Sequence, residues 1–190
     1  MHRIRRSRLI LVLACVLVAT SALAASTGAS EPDGAPASSA APQVSPRSTS
    51  GCAVLMEPVG PADASGARPT QPRSLGCYAS EREMVAKVQS VASASALTAY
   101  WLATGYGHLN FGGNWIAFYG GAPCGGVQGI PNIEAYQPGW GNRIRSSQGT
   151  CNNTRWFATT QYGGASIICS KNCNSMGVLD QNANSVYFYN

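Results

Sequence analysis

The chain has 190 residues, which is enough for one domain or two small ones. Thirteen Lys and Arg against eight Asp and Glu give a formal charge of +5, but four of the arginines precede residue 24. The rest of the chain therefore carries nine basic and eight acidic residues, and a net charge of +1 excludes the electrostatic footprint of a nucleic-acid-binding protein.

Residues 1–24 have the features of a signal peptide. Four arginines are followed by an apolar run over residues 9–19 and by Ala-Leu-Ala at residues 22–24, which is typical of a cleavage site. The run is too short to cross a hydrocarbon core of about 30 Å. We expect a secreted, extracellular protein with no membrane association after the signal is removed. The alternative is a lipoprotein anchored at Cys15, which is disfavoured because the apolar run continues past that cysteine.

Seven cysteines become six once Cys15 leaves with the signal peptide. An even number in an exported chain predicts disulfide bonds, and six cysteines allow about fifteen pairings. A zinc site is disfavoured, because a single histidine remains and no C-x₂-C pattern is repeated. Loop length and segment order favour the bonds Cys52–Cys77, Cys124–Cys151 and Cys169–Cys173.

Residues 25–96 divide into a linker and a short extension. Residues 25–50 are rich in Ala, Ser and Pro, so they bury too little apolar surface to fold and are predicted to be a disordered linker. Residues 51–96 are predicted to be a strand plus a helix. The segment "CAVLMEPV" is typical of a strand that ends at Pro58, and "RPTQPRS", residues 68–74, of a loop.

The segment "SEREMVAKVQSVASA", residues 80–94, predicts a helix. Ser80 is the expected N-cap, and Glu83 completes a capping box. Apolar residues then recur at helical spacing. A helix on a membrane surface is disfavoured because its polar face has few basic residues, so we expect this helix to pack on the domain.

Residues 97–190 have the composition of an all-β domain. Short runs of β-forming residues, "WIAFY", "SIIC" and "SVYFY", are separated by frequent Gly and Asn. This region contains a repeated motif, because the spacing of Tyr106, Phe111 and Gly113 recurs fifty-one residues later. The second copy consists of Phe157, Tyr162 and Gly164.

A second matched block follows each copy: "GWGNRIRSS", residues 139–147, and "VLDQNANSV", residues 178–186. They place Ser146 thirty-nine residues before Ser185. Glycine takes φ > 0 without steric cost, so the first hairpin of each copy can fold over, and the serine hydroxyl can tie the turn to another strand. Two such units packed face to face would bury the apolar face that one leaves exposed.

These residues resemble the Greek-key motif of the βγ-crystallin superfamily. The second copy, with "QYGGASIICSKNC", is similar to exported bacterial members of that superfamily. The resemblance covers residues 97–190 and implies a bacterial protein with two Greek-key motifs packed as a βγ-crystallin-like sandwich.

The family often binds calcium through Asn/Asp-Asn/Asp-x-x-Ser/Thr-Ser. In the first copy Gly141 and Arg145 replace two of the oxygen ligands. The second copy keeps Asp180, Asn184 and Ser185, which makes it a weak calcium candidate. We expect no calcium in the first copy, millimolar binding at most in the second, and no other cofactor.

The sequence does not indicate an enzyme. His108 is the only histidine beyond the signal peptide, and Glu134 and Asp180 are the only carboxylates of the repeat region. Their spacing does not bring them together as a catalytic set.

We therefore expect a secreted, disulfide-bonded, non-catalytic protein with a structural or binding role outside the cell. One alternative is a metallopeptidase inhibitor, because a family of exported bacterial inhibitors shares this fold; the inhibitory loop would be "SKNCNSMG", residues 170–177, with Lys171 as its candidate contact. A second alternative is a cell-wall polysaccharide-binding or killer-toxin-like protein using an exposed strip of Trp101, Trp115 and Trp156. Burial of these tryptophans against the helix is favoured over the strip. An extracellular protease and a cell-wall glycan are the corresponding partners.

Overall fold

The computed structural model describes residues 49–60, 69–124 and 128–190. The predicted signal peptide with Cys15, and all but the last two residues of the predicted linker, lie outside the described residues. The residues that are described all fall in one compact unit. No helix within them has the length and apolar character needed to cross a membrane.

Two sheets and two α-helices make up the described part of the chain. The strands are β1 (Gly51–Pro58), β2 (Thr70–Tyr78), β3 (Tyr100–Tyr106), β4 (Trp115–Gly120), β5 (Gln128–Ile130), β6 (Ser146–Gly149), β7 (Asn153–Phe157), β8 (Ser166–Cys169), β9 (Asn172–Cys173) and β10 (Ser185–Tyr189). The helices are α1 (Glu81–Ala94) and α2 (Ile133–Tyr136), and a 3₁₀ turn covers Gly177–Leu179. The expected all-β class is confirmed.

The strand order shows how the two copies interlock. The six-stranded sheet has the order β2-β1-β4-β3-β6-β9, and the four-stranded sheet has the order β5-β10-β7-β8. The first copy places β3, β4 and β6 in one sheet and β5 in the other. The second copy places β7, β8 and β10 in one sheet and β9 in the other. Each copy is thus a Greek key that exchanges its third strand with its partner.

The core lies between the two sheets and contains fully buried apolar side chains from both copies. Phe118 of the first copy packs edge-on against Trp156 of the second, with ring centroids 6.0 Å apart. Neither copy could bury these rings alone, which explains why the motif occurs twice. The largest fully buried side chains of this core include Met56, Leu102, Ile116, Phe118, Trp156 and Phe188.

Strand β1 was predicted, but its place in the fold was not. It inserts parallel to β4, so it is buried on both faces, which accounts for its continuous apolar sequence. The loop predicted over residues 68–74 is wrong, because β2 begins at Thr70 and pairs antiparallel with β1. Strand β2 lies at the edge of the sheet, where Pro72 removes no hydrogen bond from a central ladder.

Helix α1 covers the outer face of the six-stranded sheet, as expected. The Ser80 hydroxyl accepts a hydrogen bond from the Glu83 N–H at 3.3 Å, which caps the first turn. Met84 and Val88 are buried against Leu55 of β1, in a second apolar cluster separate from the core between the sheets.

The three disulfide bonds are those that loop length and segment order favour. Cys52–Cys77 joins β1 to β2, Cys124–Cys151 joins the loop before β5 to the loop before β7, and Cys169–Cys173 closes the turn between β8 and β9. Three such bonds fit an oxidising compartment.

Candidate binding site

The first hairpins of the two copies have the same geometry. The ring centroids of Tyr106 and Phe111 are 5.7 Å apart at an interplanar angle of 65°, and those of Phe157 and Tyr162 are 5.7 Å apart at 67°. Gly113 and Gly164 have φ of +77° and +73°. The second aromatic residue of each pair also has a left-handed backbone conformation, with φ of +62° at Phe111 and +61° at Tyr162, which was not predicted from the sequence. Bulky residues rarely adopt this conformation, so the turn must hold them there.

A buried serine holds each of these turns. The Ser146 hydroxyl accepts the Phe111 N–H at 2.9 Å and donates to the His108 carbonyl at 2.6 Å. The Ser185 hydroxyl does the same for Tyr162 N–H at 3.1 Å and for the Thr159 carbonyl at 2.7 Å. Both serines are fully buried.

Each of the three calcium candidates is engaged by a different partner within the protein. Both carboxylate oxygens of Asp180 accept hydrogen bonds from the Arg145 guanidinium, from Nε and Nη2, each at 2.9 Å. The Asn184 amide instead donates to Asn142 Oδ1 at 2.6 Å, and Ser185 is engaged in its turn. No cluster of three or more His, Cys, Asp or Glu side chains able to hold a metal occurs in the part of the chain that is described.

The Arg145–Asp180 pair spans the two copies. Arg145 occupies the fifth position of the first matched block, and Asp180 occupies the first position of the second. The hydrogen bonds from the guanidinium, and then its charge, lower the pKa of the Asp180 carboxyl. A protein cation therefore neutralises the one carboxylate of the calcium candidate.

The residues considered for catalysis are separated as well. The Glu134 carboxylate accepts the backbone N–H groups of Gly139 at 2.9 Å and Gly141 at 2.8 Å, which lowers its pKa. Asp180 is paired with Arg145. The His108 ring instead packs over Gly113, where an added Cβ would lie 2.8 Å from the imidazole. Glu134 and Asp180 thus have structural partners, and neither orients the histidine.

The exposed tryptophan strip does not form. Trp156 is fully buried, because it alternates with Arg155 along β7 and points into the core between the sheets. Trp101 and Trp115 are half-buried on the opposite side of the six-stranded sheet, where they pack against the cluster beneath α1. Burial beside the helix, the favoured interpretation, applies to these two.

Trp101 and Trp115 line a pocket of about 630 Å³. It opens on the outer face of the six-stranded sheet, beside the start of α1 and the first hairpin. A bulge in β3 between Trp101 and Ala103 puts Trp101 on the same face as Thr104, whose hydroxyl accepts the indole N–H at 2.9 Å. The aromatic lining consists of Trp101, Tyr106, Phe111, Trp115 and Tyr119, and the polar lining includes Glu81, Thr104 and Gln148.

The negative charge of the pocket comes from Glu81, the first residue of α1. Burial, followed by the nearby Glu81 carboxylate, raises the pKa of Tyr119 to about 12 and also raises the pKa of Tyr106. The carboxylate therefore acts on rings on two different strands of the pocket.

The second copy lacks an aromatic residue at three of the five positions that form the aromatic lining of this pocket. At the same fifty-one-residue offset, Trp101, Trp115 and Tyr119 are replaced by Asn152, Ser166 and Ser170. The two positions of the hairpin pair are aromatic in both copies, and in the second copy Tyr187 of β10 packs on Tyr162 instead, with ring centroids 5.5 Å apart. The fold thus requires Tyr106 and Phe111 but not the two tryptophans, and comparison of the two copies is the sequence signal that could have found the site.

The candidate inhibitory loop, residues 170–177, begins with a tight turn. Lys171 is exposed with φ of +70°, and the Asn172 N–H donates to the Ser170 carbonyl at 3.0 Å, which is the hydrogen bond of a γ-turn. The Cys169–Cys173 bond closes this turn. Met176 anchors the far end, because it is fully buried and its N–H donates to the Arg145 carbonyl at 2.8 Å.

Two interlocked Greek keys, each with a folded hairpin tied by a serine, give residues 97–190 the fold of a βγ-crystallin domain. The chain is similar to several solved structures of that fold. One is the N-terminal domain of protein S, at 18% identity and a TM-score of 0.37 over 45% of this chain and 91% of that one. Another is a βγ-crystallin from an archaeon, at 18% identity and a TM-score of 0.36 over 46% and 96%.

A βγ-crystallin domain from Clostridium beijerinckii is also similar, at 14% identity and a TM-score of 0.37 over 46% of this chain and 97% of that one. No protein-family model and no curated protein sequence matches the chain.

Proposed function

We propose that the chain is an exported, non-catalytic binding module whose ligand occupies the pocket beside α1. The observation that carries this proposal is the difference between the copies. The second copy folds without residues equivalent to Trp101, Trp115 and Tyr119, so the Greek-key motif itself does not require them; in the first copy they pack against the cluster beneath α1 and also line the pocket. A volume of about 630 Å³ lies within the usual range of small-molecule sites.

The test replaces Trp115 by its counterpart in the second copy. Ligand-observed NMR with neutral sugars, aromatic acids and ammonium compounds should find at least one binder of the parent whose signal is lost with Trp115→Ser. Ser166→Ala, at the equivalent position of the second copy, is the matched control and should bind like the parent. If no compound distinguishes Trp115→Ser from this control, the pocket is not a binding site.

Export is the second part of the proposal. It is supported by the arginine-rich, apolar start of the sequence and by three disulfide bonds, which persist in oxidising compartments. Mass spectrometry of the culture medium should find a chain that begins near Ala25 and lacks six hydrogens relative to its reduced form. A chain that retains residues 1–24, or that carries lipid on Cys15, would contradict it.

Protease inhibition is a second candidate, favoured by the exposed and disulfide-closed tip at Lys171. Because the γ-turn is not extended, this tip would block a cleft rather than lie along it like a substrate. Lys171→Ala should then weaken inhibition of a metallopeptidase without changing the melting temperature. Absence of inhibition of metallo-, serine and cysteine proteases by the parent would leave only the pocket proposal.

A further inference from the structure

We infer that the pocket beside α1 binds an alkylated ammonium group, with Glu81 as its counter-ion and the rings of Trp101, Trp115 and Tyr119 as its walls. This inference rests on the proposed function, because it names the ligand class of the same site. Three observations support it: the lining has one negative charge, its walls are aromatic rings, and its polar groups are hydrogen-bonded to one another.

The lining carries one charge, and that charge is negative. Glu81 is the only ionisable acid or base in it apart from the tyrosines, and neither salt bridge found among the described residues involves Glu81. Glu81 also borders a neighbouring groove along α1 that Arg82 lines, but Arg82 does not line this pocket. The Glu81 side chain is exposed, so its carboxylate attracts a cationic ligand to the pocket by charge and without a large desolvation cost.

The walls suit a cation more than a neutral apolar group. The faces of Trp and Tyr rings carry negative electrostatic potential and attract a cation within about 6 Å. The Trp115 indole is held in place because it packs over Gly51 of β1, where any side chain would overlap it. A rigid indole, a second indole and a tyrosine beside one carboxylate are the elements of an ammonium site.

The polar groups argue against a sugar. The Trp101 indole N–H donates to Thr104, and the Tyr106 hydroxyl donates to Gln148 Oε1 at 3.2 Å. These groups satisfy one another, so a polyhydroxylated ligand would have to break their hydrogen bonds. A fully alkylated ammonium has no N–H group and needs no hydrogen bond. The volume exceeds that of such a group alone, which leaves room for the chain to which it is attached.

The experiment is a fluorescence titration of the oxidised full chain with choline at constant ionic strength. Trp140 and Trp156 are buried in the core, so a change would come from Trp101 and Trp115. We expect a Kd of about 1 mM or tighter for choline. The neutral carbon isostere 3,3-dimethylbutan-1-ol should bind about tenfold more weakly, because it fills the same space without the charge.

Two matched variants test the counter-ion. Glu81→Gln should weaken choline binding about tenfold, whereas Glu83→Gln, on the same turn of α1 but outside the lining, should not change it. Both variants remove one acidic residue from the helix start, so their melting curves should agree. Glycerophosphocholine and N-acetyl-trimethyl-lysine amide, titrated in parallel, distinguish a lipid-derived source of the ammonium group from a peptide-derived one.

Three binding results would contradict the ammonium inference, and one of them leaves the proposed function intact. Equal affinity for choline and its isostere, or equal binding by Glu81→Gln and Glu83→Gln, would overturn the ammonium inference. If a neutral sugar binds instead and Trp115→Ser abolishes that binding, the inference fails while the proposed function stands. Trp115→Phe, which keeps an aromatic ring over Gly51, should retain part of the choline affinity and serves if Trp115→Ser does not fold.

Discussion

Replacing Ser146 with alanine should destabilise the protein through the first hairpin. The substitution removes one oxygen atom from a fully buried site and leaves the Phe111 N–H and the His108 carbonyl without their partner. An unsatisfied donor costs about 1–3 kcal/mol, and a lost neutral hydrogen bond about 1 kcal/mol. We therefore expect the free energy of unfolding to fall by about 2–4 kcal/mol.

The neighbouring serine provides the control. Ser147 is equally buried, but its hydroxyl makes no hydrogen bond to any described residue. Ser147→Ala should therefore have an effect close to zero, although it removes the same atom from the same strand. In the second copy, Ser185→Ala should resemble Ser146→Ala, because its hydroxyl makes the equivalent two bonds.

Urea unfolding of the oxidised protein measures these differences, and thermal melting gives a second value. At about 3 °C per kcal/mol, Ser146→Ala should melt about 6–12 °C below the parent. Equal losses for Ser146→Ala and Ser147→Ala would refute the reasoning, since burial alone, rather than the two hydrogen bonds, would then set the cost.

Much of the fold could be predicted because the repeat encodes it locally. The offset between Tyr106 and Phe157 fixes two equivalent hairpins, and the capping signal at Ser80 fixes the start of α1. Strand β2 could not be predicted from the sequence, since Pro72 is its one buried residue and its side chains do not alternate between apolar and polar. This strand forms because it pairs with β1, and its own sequence does not indicate that pairing.

The site was less predictable because it depends on contacts between distant segments. A motif alignment considers each copy by itself. It could not predict that Arg145 of the first copy forms a salt bridge with Asp180 of the second. The pocket likewise combines α1 with three strands of the first copy, β3, β4 and β6. The relevant sequence signal was a difference between copies, Trp115 against Ser166, which points to a role outside the common fold.

Three further predictions concern the bonds, turns and charges that the copies share. Reduction of the three disulfides should lower the free energy of unfolding by several kcal/mol, at about 2–5 kcal/mol for each long loop, and the native protein should contain no thiol that a label can modify. Gly113→Val and Gly164→Val should each unfold the domain, since both residues have φ above +70°; a variant that melts within about 2 °C of the parent would contradict this. The last prediction concerns calcium, which should not change the melting temperature of the parent below about 1 mM, because the Arg145 guanidinium already neutralises Asp180. Arg145→Ala should be less stable than the parent near neutral pH. Since the pKa of Asp180 is lowered in the folded state, the stabilisation from the pair is present above the unfolded value of about 3.9 and is lost as the pH falls through the folded value. The difference between parent and variant should therefore disappear in acid, and Asp180→Asn should behave like Arg145→Ala at every pH. A stability difference that persists in acid, or a parent stabilised by micromolar calcium, would show that the ion pair does not replace the metal.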